Sequence, residues 1–335
     1  MTTGSQGTAA RRTSSPLRED KGNFYGIFTM QLSVLFFSTN DVFNKLVGDN
    51  LATGQMVLIR GICATVLVFL LCVFFRELKH FAQSFQPTVL IRGLCETLSA
   101  ICCLIALKNL PLANVSAILL AIPLTTTAAA ALLLGEQVGI RRWSAVLIGF
   151  IGVLAIVRPG IEGFNFYSIF GLGAVFFAAA RDLVTRQIPK GSSLWIVTLA
   201  TMIVSTLGGG VMTLAEGWFS GFDTAWLAPN SKNLLFLLAA GSFLTLGQYF
   251  IAIAMQNGEV SVVSSFRYIS MPIALTYGYL IWGEVPDALT WFGILLILAS
   301  GIYTIFRERK VARLKREGKR EGDPDALVAA ETGHE

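Results

Sequence analysis

Charge is what this sequence has least of. Only 14% of its 335 residues are Asp, Glu, Lys or Arg, whereas a soluble domain carries roughly a quarter. Histidine is scarcer still. His80 falls in a connecting stretch and His334 near the carboxyl end, so no apolar run contains an imidazole to act as general base or metal ligand. The five cysteines, Cys63, Cys72, Cys95, Cys102 and Cys103, all lie inside apolar runs. They form neither a disulfide framework nor a zinc spacing, and read as small packing residues. No Gly-x-x-x-x-Gly-Lys-Ser/Thr phosphate loop is present, which argues against a built-in ATP motor. Loops longer than about 20 residues are absent too, so a soluble catalytic domain has nowhere to sit. The net charge of +5 does not point to nucleic acid, because eight of the 26 Lys and Arg cluster between Arg307 and Arg320.

Apolar residues make up 54% of the chain. They fall in ten runs near 24–46, 53–75, 87–107, 112–134, 141–158, 166–187, 193–215, 233–255, 259–282 and 287–306. Each is long enough, or nearly so, to cross about 30 Å of hydrocarbon at about 1.5 Å per residue. Lipid offers no partner to a free backbone amide, so such runs cross as helices. The expected fold is an all-α integral membrane protein with ten transmembrane helices. Residues 1–22 read as a disordered arm without a cleavable signal peptide. The tail 307–335, basic and then acidic, is likewise expected to be disordered.

Lys and Arg set the orientation. Arg11, Arg12, Arg18, Lys21, Arg76, Lys79, Arg141, Arg142, Arg186, Lys190 and the basic tail fall on the side of the termini. Lys45, Lys108, Arg158 and Lys232 fall on the other. The excess places both termini in the cytoplasm.

The order of residues repeats. Gly135-Glu136, followed by Trp143, returns as Gly283-Glu284, followed by Trp291. Pro123 returns as Pro272 and Gly152 as Gly301, while Ala106-Leu107-Lys108-Asn109 matches Ala254-Met255-Gln256-Asn257. Phe36-Phe37, Asp41 and Lys45 are matched by Phe176-Phe177, Asp182 and Arg186. An odd number of spans per repeat inverts one half against the other, which is the build of secondary transporters. The two repeats are 24–158 and 166–306.

These residues resemble the drug/metabolite transporter superfamily, in the branch with two EamA domains. The paired Gly-Glu motifs, the Ala-Leu-Lys-Asn-Leu-Pro-Leu-Ala run at 106–113, Arg141-Arg142-Trp143 and Arg158-Pro159-Gly160 carry the resemblance. It implies two inverted five-helix halves around a cavity lined mainly by spans 1, 3, 4, 6, 8 and 9. It also implies a carrier driven by ion gradients or exchange. Asn40-Asp41 with Lys45 looks like the branch holding riboflavin and S-adenosylmethionine uptake carriers. The resulting expectation is a secondary carrier of the bacterial inner membrane, taking up a vitamin or nucleoside-like solute. Efflux of amino acids or drugs is the alternative. Intramembrane enzyme and channel are the remaining classes; mixed-sign charges scattered over both halves do not make the single-sign ring of a selective pore. The expected partners are a small-molecule substrate and the lipid bilayer, with protons or a counter-substrate both compatible, in a monomer or homodimer. No cofactor and no metal are expected.

Charges at membrane depth mark a pathway. Arg60, Arg92, Arg181, Arg267, Asp41, Glu96 and Asp182 are such charges. Helical rise puts Glu96 and Arg267 near one depth on different halves, so they are expected at the central site, touching substrate or pairing when it is empty. Arg92, four residues before Glu96 on the same face, would feed anionic groups toward it. Asp41 and Asp182 would be equivalent gates on opposite sides of the membrane, with Arg60 sharing Asp41's layer. The other reading makes Arg60, Arg92, Arg181 and Asp182 fixed pairs near helix ends, with snorkelling arginines. Gln248, Tyr249 and Tyr268 are candidate contacts for a flat ring substrate, and lipid-facing packing is their alternative. Pro123 and Pro272 are either matched hinges or static bends. The tryptophans, Trp195 and Trp282 among them, read as interfacial. Glu136 and Glu284 read as helix ends turned toward water.

Overall fold

The computed structural model describes residues 16–48, 51–134, 140–157, 165–189, 191–220, 226–257 and 266–321, and among them there is no strand. The helices are α1 (Pro16–Val47), α2 (Thr53–Phe74), α3 (Pro87–Asn109), α4 (Leu112–Leu119), α5 (Ile122–Leu134), α6 (Ile140–Val157), α7 (Ser168–Arg186), α8 (Leu194–Ser220), α9 (Ser231–Asn257), α10 (Ser270–Tyr277) and α11 (Ala288–Glu321). A 3₁₀ segment, Glu77–Phe85, joins α2 to α3. Another, Phe266–Ile269, leads into α10, which continues as a π turn over Gly278–Trp282. Among the described residues, six stretches are long and apolar enough to cross a membrane: Thr53–Phe74, Pro87–Asn109, Leu112–Ala129, Ser168–Thr185, Leu194–Phe219 and Ser231–Ala254. Trp143–Val157 and Ala288–Tyr303 are apolar but shorter.

Two expectations change. Residues 16–22 are the first turns of α1, and residues 307–321 continue α11. Pro16 suits a first helical position. The Arg-Glu-Arg-Lys-rich stretch after Phe306 consists of strong helix formers added to an existing helix, where each further residue needs no new nucleus. Gly135-Glu136, Arg158-Pro159-Gly160, Lys190, residues 1–15 and the acidic end 322–335 lie outside the described residues, as do the side chains of Arg141, Arg142 and Arg186.

The principal pairings are α1 with α9, α2 with α8, α3 with α7, and α6 with α11. Exchanging the halves turns the first into the third and leaves the other two unchanged. That is the scheme of a pseudo-two-fold axis, and it places the main contacts between repeats. Close approach at the axis requires glycine. A Cβ on Gly152 would sit 2.7 Å from the Gly293 carbonyl oxygen, and one on Gly293 would sit 2.6 Å from that of Gly152. Small residues of this kind let helices associate in lipid by backbone proximity.

Both proline-bearing spans are broken. The first is interrupted at Leu120–Ala121, between α4 and α5, and Pro123 falls in the first turn of α5. Pro272 falls in the first turn of α10, after its 3₁₀ segment. Proline is tolerated there because the first-turn amides have no partner within the helix. In both halves a threonine four residues on bonds the proline carbonyl: Thr127 Oγ1 at 2.9 Å and Thr276 Oγ1 at 2.8 Å.

Candidate functional site: a charged seam between the halves

A cavity of about 190 Å³ opens between the halves where both spans break. Asp41, Arg60, Glu96, Arg181, Arg267 and Pro123 all line it. Asp41 comes from α1, Arg60 from α2, Glu96 from α3, Arg181 from α7 and Arg267 from the 3₁₀ turn before α10.

The charges form one chain of bonds across α3, α7, α8, α9 and the 3₁₀ turn. Arg92 donates through Nε to Thr185 Oγ1 (3.1 Å), through Nη1 to Thr201 Oγ1, and through Nη2 to Gln248 Oε1 (3.2 Å). Gln248 Nε2 donates to Glu96 Oε1 at 2.8 Å, and Arg181 Nη1 to Glu96 Oε2 at 2.6 Å. Arg181 also grips Asp182 Oδ1 through Nε (3.0 Å) and Nη2 (2.8 Å). Asp182 Oδ2 in turn accepts from Arg267 Nη1 at 3.0 Å. Each carboxylate in this chain therefore meets a guanidinium, the condition under which buried charge is tolerated.

Asp41 sits apart from that chain. It accepts from Asn40 Nδ2 at 3.0 Å, and Asn40 Oδ1 accepts from Asn44 Nδ2 at 3.1 Å. Arg60, only 3% exposed, lines the same cavity as Asp41. Its Nε has no hydrogen-bond partner, and neither does Nη2 of Arg267.

Several expectations shift. Glu96 and Arg267 line one cavity, but Arg181 and Asp182 stand between them as counter-charges. Asp182 belongs to the central chain, bonded to Arg181 and Arg267, while Asp41 lines the cavity outside that chain. Arg92 is bound by two threonines and a glutamine. Tyr249 stacks on Trp195 with centroids 4.2 Å apart, and Trp195 stacks on Phe75 at 5.2 Å. Neither Tyr249 nor Tyr268 lines the cavity. Tyr268 instead fills the notch left by Gly301 on α11, where a Cβ would meet its ring at 2.2 Å.

A second ionic feature closes the end of the seam away from the termini. Lys45 Nζ reaches Glu284 Oε1 at 2.5 Å and the Leu110 carbonyl at 3.1 Å, and lies 4.9 Å from the centre of the Trp282 ring. Glu284 Oε2 accepts the Leu112 amide at 2.8 Å. Gly283, with φ at +67°, turns the chain so that Glu284 faces inward. Glu284 is thus tied to the first repeat, not turned to water, and the Trp282 ring packs beside that tie.

Sequence reasoning also missed the uncharged lining. Ser33, Phe37 and Ser38 on α1, and Ser99 and Cys103 on α3, line the cavity together with Asp41, Glu96 and the expected Asn40. The signal was present at Ser38 and Ser99, small polar residues each three positions from a buried acid.

A helical membrane protein with two pseudo-symmetric halves, and a charged cavity at broken helices between them, has the architecture of a solute carrier. The model of the EamA-like transporter family matches residues 24–158 and 165–306, and the chain belongs to that family. It is 24% identical over 295 residues to the S-adenosylmethionine uptake transporter of Rickettsia conorii, covering 88% of this chain and 97% of that protein. It is 30% identical over 277 residues to the pseudopaline exporter CntI of Pseudomonas aeruginosa, covering 81% and 93%. Over 201 residues it is 30% identical to the riboflavin transporter of Vibrio cholerae, covering 60% and 64%. A solved crystal structure superposes with a TM-score of 0.60 at 16% identity, covering 86% of this chain and 99% of that one, a likeness of fold. The chain is a multi-pass membrane transporter for a small molecule, in a family of transporters and not of enzymes.

Proposed function

We propose that this transporter is a secondary carrier of the bacterial inner membrane that takes up a vitamin or nucleoside-like metabolite, such as riboflavin or S-adenosylmethionine, by alternating access. It crosses the bilayer ten times in two inverted five-helix repeats, with both termini in the cytoplasm. The observation carrying this reading is the bonded chain Arg92–Gln248–Glu96–Arg181–Asp182–Arg267, which spans both halves and reaches their shared cavity through Glu96, Arg181 and Arg267. At about 190 Å³ the cavity is smaller than the roughly 300–1,000 Å³ of ordinary small-molecule sites, so a flavin-sized cargo needs the halves to part. The breaks at Leu120–Ala121 and before Ser270 are where that motion would hinge, with Pro123 and Pro272 fixing the turn that follows each. The Lys45–Glu284 pair holds the outer end shut in the state seen here. Protons and a counter-substrate are both compatible as drivers, in a monomer or a homodimer.

Efflux is the second reading, favoured by the resemblance to the pseudopaline exporter over 81% of the chain. Vesicles of both orientations loaded with unlabelled solute distinguish them. The uptake reading expects saturable counterflow of labelled S-adenosylmethionine or riboflavin, and net inward movement in cells. Counterflow with net outward movement favours export. Unsaturable flux overturns the carrier reading.

A further inference from the structure

The carrier reading leaves the cargo's chemistry open, and two unpartnered nitrogens bear on it. Among the described residues the seam holds four guanidinium groups, Arg60, Arg92, Arg181 and Arg267, against three carboxylates, Asp41, Glu96 and Asp182. Arg92 and Arg181 are bonded through every nitrogen. Arg267 bonds Asp182 through Nη1 and leaves Nη2 buried without a partner. Arg60 is 3% exposed, lines the cavity, and has a buried Nε without a partner. A buried guanidinium with unmade hydrogen bonds is costly, and more so at membrane depth. Arg60 and Arg267 come from different halves and line one cavity, and the described seam carries one positive charge more than it balances.

We propose that Arg60 and Arg267 form a receptor for a single carboxylate on the cargo. This rests on the carrier reading and deepens it. A guanidinium presents its donors in a planar fork that matches a carboxylate. One negative charge balances the excess, whereas a dianionic phosphate would overshoot it. The cargo of this cavity is therefore a carboxylated metabolite, which narrows the class proposed above: S-adenosylmethionine, with its carboxylate, remains in it and the neutral riboflavin drops out. Binding it ties α2 of the first repeat to the 3₁₀ turn of the second.

The test is ligand-induced thermal stabilisation of the purified full chain in detergent, followed by counterflow in proteoliposomes. The panel contains the amino acids, S-adenosylmethionine and its decarboxylated form, riboflavin, and flavin mononucleotide as the phosphate arm. The expected result is stabilisation by a carboxylated member that is lost when its carboxylate is removed. Arg60→Gln should weaken that binding at least tenfold, while Arg60→Lys, which keeps the charge, retains part of it. The unliganded melting points of both variants report folding. Equal binding of the decarboxylated form, riboflavin bound equally by wild type and Arg60→Gln, stabilisation by the phosphate arm alone, or no stabilisation by any carboxylated member would each overturn the proposal. Counterflow of neutral cargo untouched by Arg60→Gln would defeat it and leave the carrier standing. Arg60-dependent binding without counterflow would do the reverse.

Discussion

The α1–α9 and α3–α7 interfaces are equivalent under the internal two-fold and opposite in chemistry. The first is an aromatic zipper: Phe36 stacks on Phe250 at 5.6 Å and Phe43 on Phe243 at 5.7 Å, with Phe236 at 5.6 Å from Phe43. The second is ionic, with Glu96 of α3 joined to Arg181 of α7, and Arg92 to Thr185. Duplication supplied one helix-packing geometry twice, and the side chains then diverged within it. Stacked rings tolerate small slips because their attraction is broad. Ion pairs hold one register and fail when a partner is lost. The cavity is therefore chemically lopsided although its frame is symmetric.

The largest expected effect comes from breaking the ionic side. Arg181→Ala leaves Glu96 and Asp182 without their shared counter-charge and should cost about 3–5 kcal/mol, read as denaturant unfolding of the purified protein. Stability within 1 kcal/mol of wild type would mean that the seam is well hydrated and that its charges are only loosely coupled. Next comes the outer tie. A double-mutant cycle on Lys45→Ala and Glu284→Gln should give a coupling of about 1.5–3 kcal/mol, as for hydrogen bonds to charged groups. The exchanged pair, Lys45→Glu with Glu284→Lys, should recover part of the lost transport, and additive single effects would dissolve the tie. The smallest effect belongs to the aromatic side. Phe43→Leu keeps most of the volume and should cost less than about 1.5 kcal/mol, with cargo affinity unchanged. A loss matching that of Arg181→Ala would erase the contrast between the interfaces.

Much of this is legible in the sequence alone. Asp41, Glu96, Arg181 and Arg267 stand out because an ionisable side chain at membrane depth needs a reason, and all four line the cavity. The recurrence of Phe-Phe, Pro and Gly-Glu indicated two copies of one unit, and the pairing of α1 with α9 and α3 with α7 fits that relation. Other features were hidden for physical reasons. Glu284 lies 239 residues from Lys45, so neither sequence neighbourhood carries the pairing. Asp182 and Asp41 occupy equivalent positions, yet the guanidinium that holds Asp182 from the 3₁₀ turn has no counterpart bonded to Asp41. The continuation of α11 past Phe306 was masked by its charge, which resembles that of disordered tails while its residue types favour helix.

The length of α11 has a geometric consequence. Its 34 residues measure about 51 Å at about 1.5 Å each. Even tilted by about 40°, the steep end of the range for such helices, it would rise about 39 Å through a hydrocarbon slab of about 30 Å. Its far turns must therefore stand in water as a stiff mast stepped at the Gly152–Gly293 crossing, so any rocking of the helix at its foot becomes a wider swing of the cationic tip.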